Sequence, residues 1–170
     1  MITIRACDES DLDDLVRIGR ETYDETFRPM NTAETMDAYL AEAFDPRKIL
    51  SELRSPGTEF YFLLDDGSPA GYLKLNSAPS QSDLNDPSSL EIERIYVRRG
   101  RTGQGLGRVL MDFALARAVE LGRSWAWLGV WEKNTAALGF YRRMGFQEAG
   151  THTFRMGEEI QRDFIMRREL

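Results

Sequence analysis

Residues 90 to 130 constrain the fold more than any other stretch of this chain. Leu90 to Val97 reads as a strand, and it runs straight into a glycine- and arginine-rich loop, Arg98 to Gly107. Arg108 to Leu121 follows with Val109, Leu110, Phe113, Ala114 and Ala116 at helical spacing, and Gly122 stands where a helix ends in a left-handed residue. Ser124 to Val130 is then a second strand. A strand, a helix and a strand in succession form a crossover, which pairs its strands in parallel. The rest of the chain must be built around that unit.

Before it, Ile2 to Ala6 alternates as a short strand, and a helix carrying Leu12, Leu15, Val16 and Ile18 runs to about Glu25, ahead of Pro29. Asn31 or Thr32 caps a second helix with Met36, Tyr39, Leu40 and Phe44, and Arg47 to Leu53 is a third, after Pro46. Glu59 to Leu64 and Ala70 to Leu75 form a hairpin around Asp66-Gly67. Asn76 to Ser89 reads as a surface loop. After the crossover, Thr135 to Met144 is a helix ended by Gly145, and Phe146 to Phe154 with Ile160 to Arg168 makes a final hairpin. These elements predict an α/β fold of the α+β type: one domain over residues 1–170, with a mixed, mostly antiparallel sheet of about seven strands flanked by helices.

The 22 Lys and Arg residues against 28 Asp and Glu leave a net charge of −6, which argues against nucleic acid as a partner. One cysteine, Cys7, allows no internal disulfide and fits a reducing compartment; one histidine, His152, makes a histidine metal site unexpected. His152 itself reads as a hairpin surface residue. No signal segment or membrane span is read, so the expected location is the cytoplasm and no membrane partner is expected.

Thr102-Gly103-Gln104-Gly105-Leu106-Gly107 joins a strand to a helix, and glycines there let backbone amides approach an anion at the helix start. Arg98, Arg99, Arg101 and Arg108 add positive charge, so the loop suits a polyphosphate. A Walker-A sequence is absent, and a Gly-x-Gly-x-x-Gly count from Gly103 ends on Arg108. A plain glycine turn and a nucleotide site remain open readings on the residues alone. On the strand before it, period-2 alternation places Glu91, Glu93, Ile95 and Val97 on one face. Two carboxylates there suit the edge of a polar cleft. Trp125, Trp127 and Trp131 alternate on the next strand, and core packing is the expectation for them.

The loop resembles motif A of the GNAT acetyltransferases as Thr102-x-x-Gly105-x-Gly107, with Thr102 where Arg or Gln is usual. Asn134-Thr135-Ala136-Ala137 through Phe140-Tyr141 to Gly145-Phe146 resembles the same superfamily's Asn-x-x-Ala-x-x-Phe-Tyr-x-x-x-Gly-Phe string. Tyr23 to Phe27, Thr35 to Phe44, Leu90 to Val97, Val130 to Asn134 and Asp163 to Met166 extend the likeness to the PaiA-type polyamine N-acetyltransferases.

The resemblance implies acetyl-CoA as co-substrate, no metal, a small-molecule amine acceptor such as a polyamine, and a monomer or homodimer. It implies that Thr102, Gly103, Gln104, Gly105, Leu106, Gly107 and Arg108 hold the pyrophosphate of coenzyme A. It implies that Ile95, Tyr96 and Val97 pair with the pantetheine arm, an amide near Ile95 polarising the thioester carbonyl. Asn134, Ala137 and Tyr141 then lie against the cofactor, with Tyr141 donating a proton to the departing thiolate and Glu91 or Glu93 taking one from the amine. A non-catalytic acyl-CoA-binding regulatory domain, or an acetyltransferase for protein lysines, N-termini or aminoglycosides, is the alternative reading of the same motifs.

Overall fold

The computed structural model describes residues 1–156 and 158–170. A seven-stranded sheet runs in the order β1-β2-β3-β4-β5-β7-β6. Its strands are β1 (Ile2–Ala6), β2 (Thr58–Asp65), β3 (Ser68–Asn76), β4 (Ser89–Val97), β5 (Trp125–Trp131), β6 (Gln147–Met156) and β7 (Glu159–Glu169). Its helices are α1 (Leu12–Phe27), α2 (Ala33–Ala43), α3 (Pro46–Arg54), α4 (Leu106–Glu120) and α5 (Thr135–Arg143). Every strand pairing is antiparallel except β4 with β5, which α4 joins as the crossover requires.

Local chemistry sets the helix starts. Asp45 accepts from the Arg47 amide and is followed by Pro46, while Thr32 accepts from Thr35. Asn134 Oδ1 accepts from the Ala137 amide at 3.3 Å and so begins α5. α4 begins at Leu106, two residues earlier than the sequence pattern suggests, because Gly105 takes φ 77° and turns the chain into the helix.

Alternation along the strands divides most of the apolar residues between two cores, with Trp125, Trp127 and Ile165 in a small third cluster. Leu73, Leu75, Leu90, Ile92 and Leu128 face α4 and α5. Phe60, Phe62 and Tyr72 face α1 to α3 with Ile18, Met36 and Phe44. All three tryptophans are buried. No helix among the described residues is long and apolar enough to cross a membrane.

One expected register is corrected. Lys74 opposes Arg94 but Leu75 opposes Ile92, so Glu93 is an extra residue in a β-bulge. Ile95 and Val97 therefore pack with Leu90 and Ile92 on the α4 side. Glu91 and Glu93 do not share their face; they share that of Arg94 and Tyr96, which turn toward Phe44 and its neighbours. A bulge bends its strand, and here β4 leaves its parallel neighbour: Ser89, Leu90 and Glu91 pair with Trp125, Ala126 and Trp127, and no pair follows.

Candidate active site

Where β4 and β5 part, a cavity of about 1130 Å³ opens. Beyond Glu91 the facing edges of the two strands have no strand partner, so backbone groups there are free to pair with a ligand. Ile95, Tyr96 and Val97 line one side, with Val130 and Trp131 opposite.

One end of this cavity is the glycine loop. Gly103 and Gly105 have φ of 78° and 77°, which side chains resist, and nothing lies within 4 Å of where their Cβ atoms would stand. No side chain caps α4. Its first amides are thus left for an anion. Thr102, Gly103, Gly105, Leu106, Gly107 and Arg108 line the cavity. Gln104 is outside the lining and accepts a hydrogen bond from Arg101 Nε at 3.1 Å. Thr102 Oγ1 donates to the Arg99 carbonyl, so its side chain serves the loop's own shape.

The expected arginine cluster is largely neutralised. Arg98 pairs with Glu21, Arg101 with Asp65, and Arg99 donates to the Glu25 carbonyl, while the Glu25 carboxylate accepts from the Arg99 amide. Asp24 pairs with Arg28. These surface carboxylates hold α1 and the loop in place. Only Arg101 and Arg108 of the four arginines reach the cavity.

In the middle stand Asn134, Ala137 and Tyr141. Tyr141 is half-buried, with ring centroids 5.5 Å from Phe140 and 6.2 Å from Phe146. Burial holds its phenol above the usual tyrosine range, so it stays protonated through neutral pH.

The other end is aromatic and acidic. Tyr23, Phe27, Tyr39 and Trp131 form walls, with Tyr23 and Tyr39 stacked at 4.5 Å. Glu91 is 2% exposed. Its Oε1 accepts from Asn76 Nδ2 at 2.9 Å and the Ser82 amide at 2.8 Å, and its Oε2 accepts from Ser82 Oγ. Burial and the neighbouring Glu93 raise its pKa, outweighing those hydrogen bonds. Glu93 Oε2 accepts from Lys74 Nζ at 2.7 Å and Oε1 from Asn76 Nδ2 at 3.0 Å. Burial alone would raise its pKa, but Lys74 and Arg94 outweigh it and hold Glu93 below the usual range.

Sequence reasoning missed one group at this end. His152 and Asp163 both line the cavity, His152 Nε2 being 3.6 Å from Asp163 Oδ2 and Nδ1 being 3.1 Å from Asp83 Oδ2. Strand alternation on β7 places Asp163 beside buried Ile165, an inward position for a carboxylate. That was the available signal.

Comparisons with known proteins agree with this geometry. A profile of the acetyltransferase (GNAT) family matches residues 19–146. The uncharacterized N-acetyltransferase in the pepI 3' region of Lactobacillus delbrueckii subsp. lactis is 41% identical over 162 residues, covering 95% of this chain and 94% of that one. The spermidine N(1)-acetyltransferase of Thermoplasma acidophilum is 24% identical over 154 residues, 88% of this chain and 91% of that one. Among solved structures, PaiA N-acetyltransferase from Thermoplasma acidophilum in complex with coenzyme A superposes with a TM-score of 0.82 at 22% identity, over 100% of this chain and 99% of that one. The matching profile, the split sheet and the uncapped glycine loop at the start of α4 lead to one conclusion: the chain is an acetyltransferase and belongs to the GNAT family.

Proposed function

We propose that the protein transfers the acetyl group of acetyl-CoA to a primary amine of a small cationic molecule, a polyamine being the first candidate. The observation that carries this reading is that one cavity joins the uncapped glycine loop, a protonated phenol and an aromatic, carboxylate-rich chamber. Bound acetyl-CoA supplies a thioester open to attack by an amine. The residues suited to hold it are the loop amides from Gly103 to Arg108, the free edge at Ile95 to Val97, and Asn134 with Ala137.

The protein's own groups do the remaining work. Tyr141 donates its phenolic proton to a departing thiolate. Glu91 and Glu93, with their oxygens already engaged, set a negative potential rather than exchange protons. Aromatic faces beside carboxylates attract an ammonium by ring quadrupole and charge together. The spermidine enzyme among the relatives supports a polyamine acceptor.

Thiol release from acetyl-CoA with spermidine, spermine and short diamines tests this reading. Saturable turnover with a polyamine is expected, and coenzyme A binding without turnover on any amine would instead favour a non-catalytic acyl-CoA-binding domain. Gly105→Val forces a β-branched residue into a left-handed conformation at the loop. We expect it to weaken coenzyme A binding by about tenfold or more, a change of roughly 1.4 kcal/mol, measurable by titration calorimetry.

A further inference from the structure

An alkylamine is mostly an ammonium at neutral pH and attacks only after losing a proton. This argument rests on the amine-acetylation reading above. Three carboxylates largely withdrawn from water line the acceptor end: Glu91, Glu93 and Asp163. Both oxygens of Glu91 and both of Glu93 already accept hydrogen bonds. Asp163 differs. It is 9% exposed, and its Oδ1 is buried with no hydrogen-bond partner among the described residues. Its Oδ2 stands 3.6 Å from His152 Nε2, an ion-pair distance too long for a hydrogen bond.

The wall beside it is a glycine. A Cβ on Gly129 of β5 would stand 3.3 Å from His152 Cε1 and 3.5 Å from Asp163 Oδ2. With no side chain on Gly129, the histidine and aspartate sit close against β5, and all three line the cavity. An unsatisfied buried carboxylate costs stability unless something occupies it. A primary ammonium, with three donors, has the chemistry to do so.

We infer that Asp163 binds the ammonium of the acceptor and takes its proton, and that His152 is the positioning residue that carries the proton on toward solvent. In this step one N–H bond of the ammonium breaks and one O–H bond forms on Asp163. The nitrogen keeps the electron pair it needs for attack. Removing a charged pair from water favours exactly this neutral outcome, because burial lowers an ammonium pKa and raises a carboxyl pKa. The imidazole, one-quarter exposed, then returns Asp163 to its carboxylate form.

The electrostatic setting agrees. His152 faces Asp163 from β6, Glu132 from the end of β5 and Tyr39 from α2, with Asp83 beyond the imidazole. Glu132 is itself paired with Arg162 at 2.7 Å. Lys48 and Arg155 line the same cavity. Burial holds the Asp163 carboxyl above the usual carboxylate range, against the pull of His152. A base must be unprotonated to act, so kcat/KM for the amine is expected to rise with pH through the Asp163 ionisation.

The test is the pH profile of kcat/KM in wild type, Asp163→Asn, His152→Gln and Glu91→Gln, with coenzyme A affinity and thermal melting measured alongside. Asp163→Asn is expected to keep its fold and coenzyme A affinity, to lose about 10²-fold or more in kcat/KM, and to lose the acidic limb. His152→Gln is expected to move that limb to higher pH. Glu91→Gln is expected to retain it. An acidic limb that survives in Asp163→Asn, or that vanishes in Glu91→Gln, would overturn the assignment. A wild-type chain that binds coenzyme A but acetylates no amine would overturn the acetylation reading as well, so the two failures are told apart.

Discussion

Tyr141→Phe is expected to lower turnover by about 10²- to 10⁴-fold, the usual worth of a positioned general acid, with coenzyme A affinity nearly unchanged. The substitution removes one oxygen and keeps the ring, so the contacts with Phe140 and Phe146 survive. Burial is what keeps the phenol protonated, and no other described residue is hydrogen-bonded to its hydroxyl in a way that would compete for the proton. The loss should fall on kcat and kcat/KM alike, because the proton is needed only as the thiolate departs. Steady-state thiol release together with calorimetric titration of coenzyme A decides the matter. A phenylalanine variant that turns over at the wild-type rate would exclude the phenol from the chemistry.

Lys74→Met is expected to be the most damaging single change to stability, by about 3–5 kcal/mol, the usual cost of leaving buried charge uncompensated. The Lys74 side chain is 5% exposed, and its Nζ lies 2.9 Å from Glu52 and 2.7 Å from Glu93. Methionine fits the space over Phe60 but leaves Glu93 with Arg94 Nε at 3.5 Å as its remaining cation. For a protein of this size the melting temperature should drop by roughly 10 °C or more. The sign with pH follows from Glu93. In the wild type its folded pKa lies below the unfolded value, so its contribution is present above the usual carboxylate range and is lost as pH falls through the folded value. In Lys74→Met the carboxyl loses its main opposing charge, burial raises its pKa, and the deficit should shrink on acidification. Adding Glu93→Gln should recover part of the loss. Urea melts of the two single variants and the double variant at several pH values measure this coupling.

Much of this arrangement was legible in the residues. The crossover between Leu90 and Val130, the cap at Thr32, and the turns at Gly67 and Gly145 act locally, and local rules read them. About seven strands followed from alternation in Ile2 to Ala6 and Leu90 to Val97 and from apolar runs between turn residues elsewhere. Glu93 shows where such rules stop. A bulge is set by the pairing of Lys74 and Leu75 across the sheet, and nothing in the run Leu90 to Val97 announces it. The partners of the loop arginines were hidden for a related reason: Arg98 and Arg101 meet Glu21 and Asp65 only after α1 and β2 have folded against the loop. Asp163 and His152 lie on paired strands and pack against Gly129 on a third. No spacing in the chain links those positions.

The three pairs that join β4 to β5 have a consequence for how the molecule holds together. Strands β1 to β4 form one continuous ladder and β5 to β7 another. Between them the sheet is stitched at Ser89, Leu90 and Glu91 alone, with α4 and α5 tying the halves on one side and the core of α1 to α3 reaching Trp131 and Met156 on the other. A ligand lying in the opening would act as a missing strand, and its binding free energy would become cohesion between the halves. Amide exchange at Ile95 and Val97 of β4 and at Gly129 and Trp131 of β5, whose amides face the opening, should then be fast without coenzyme A and slowed by it, more than anywhere else in the sheet.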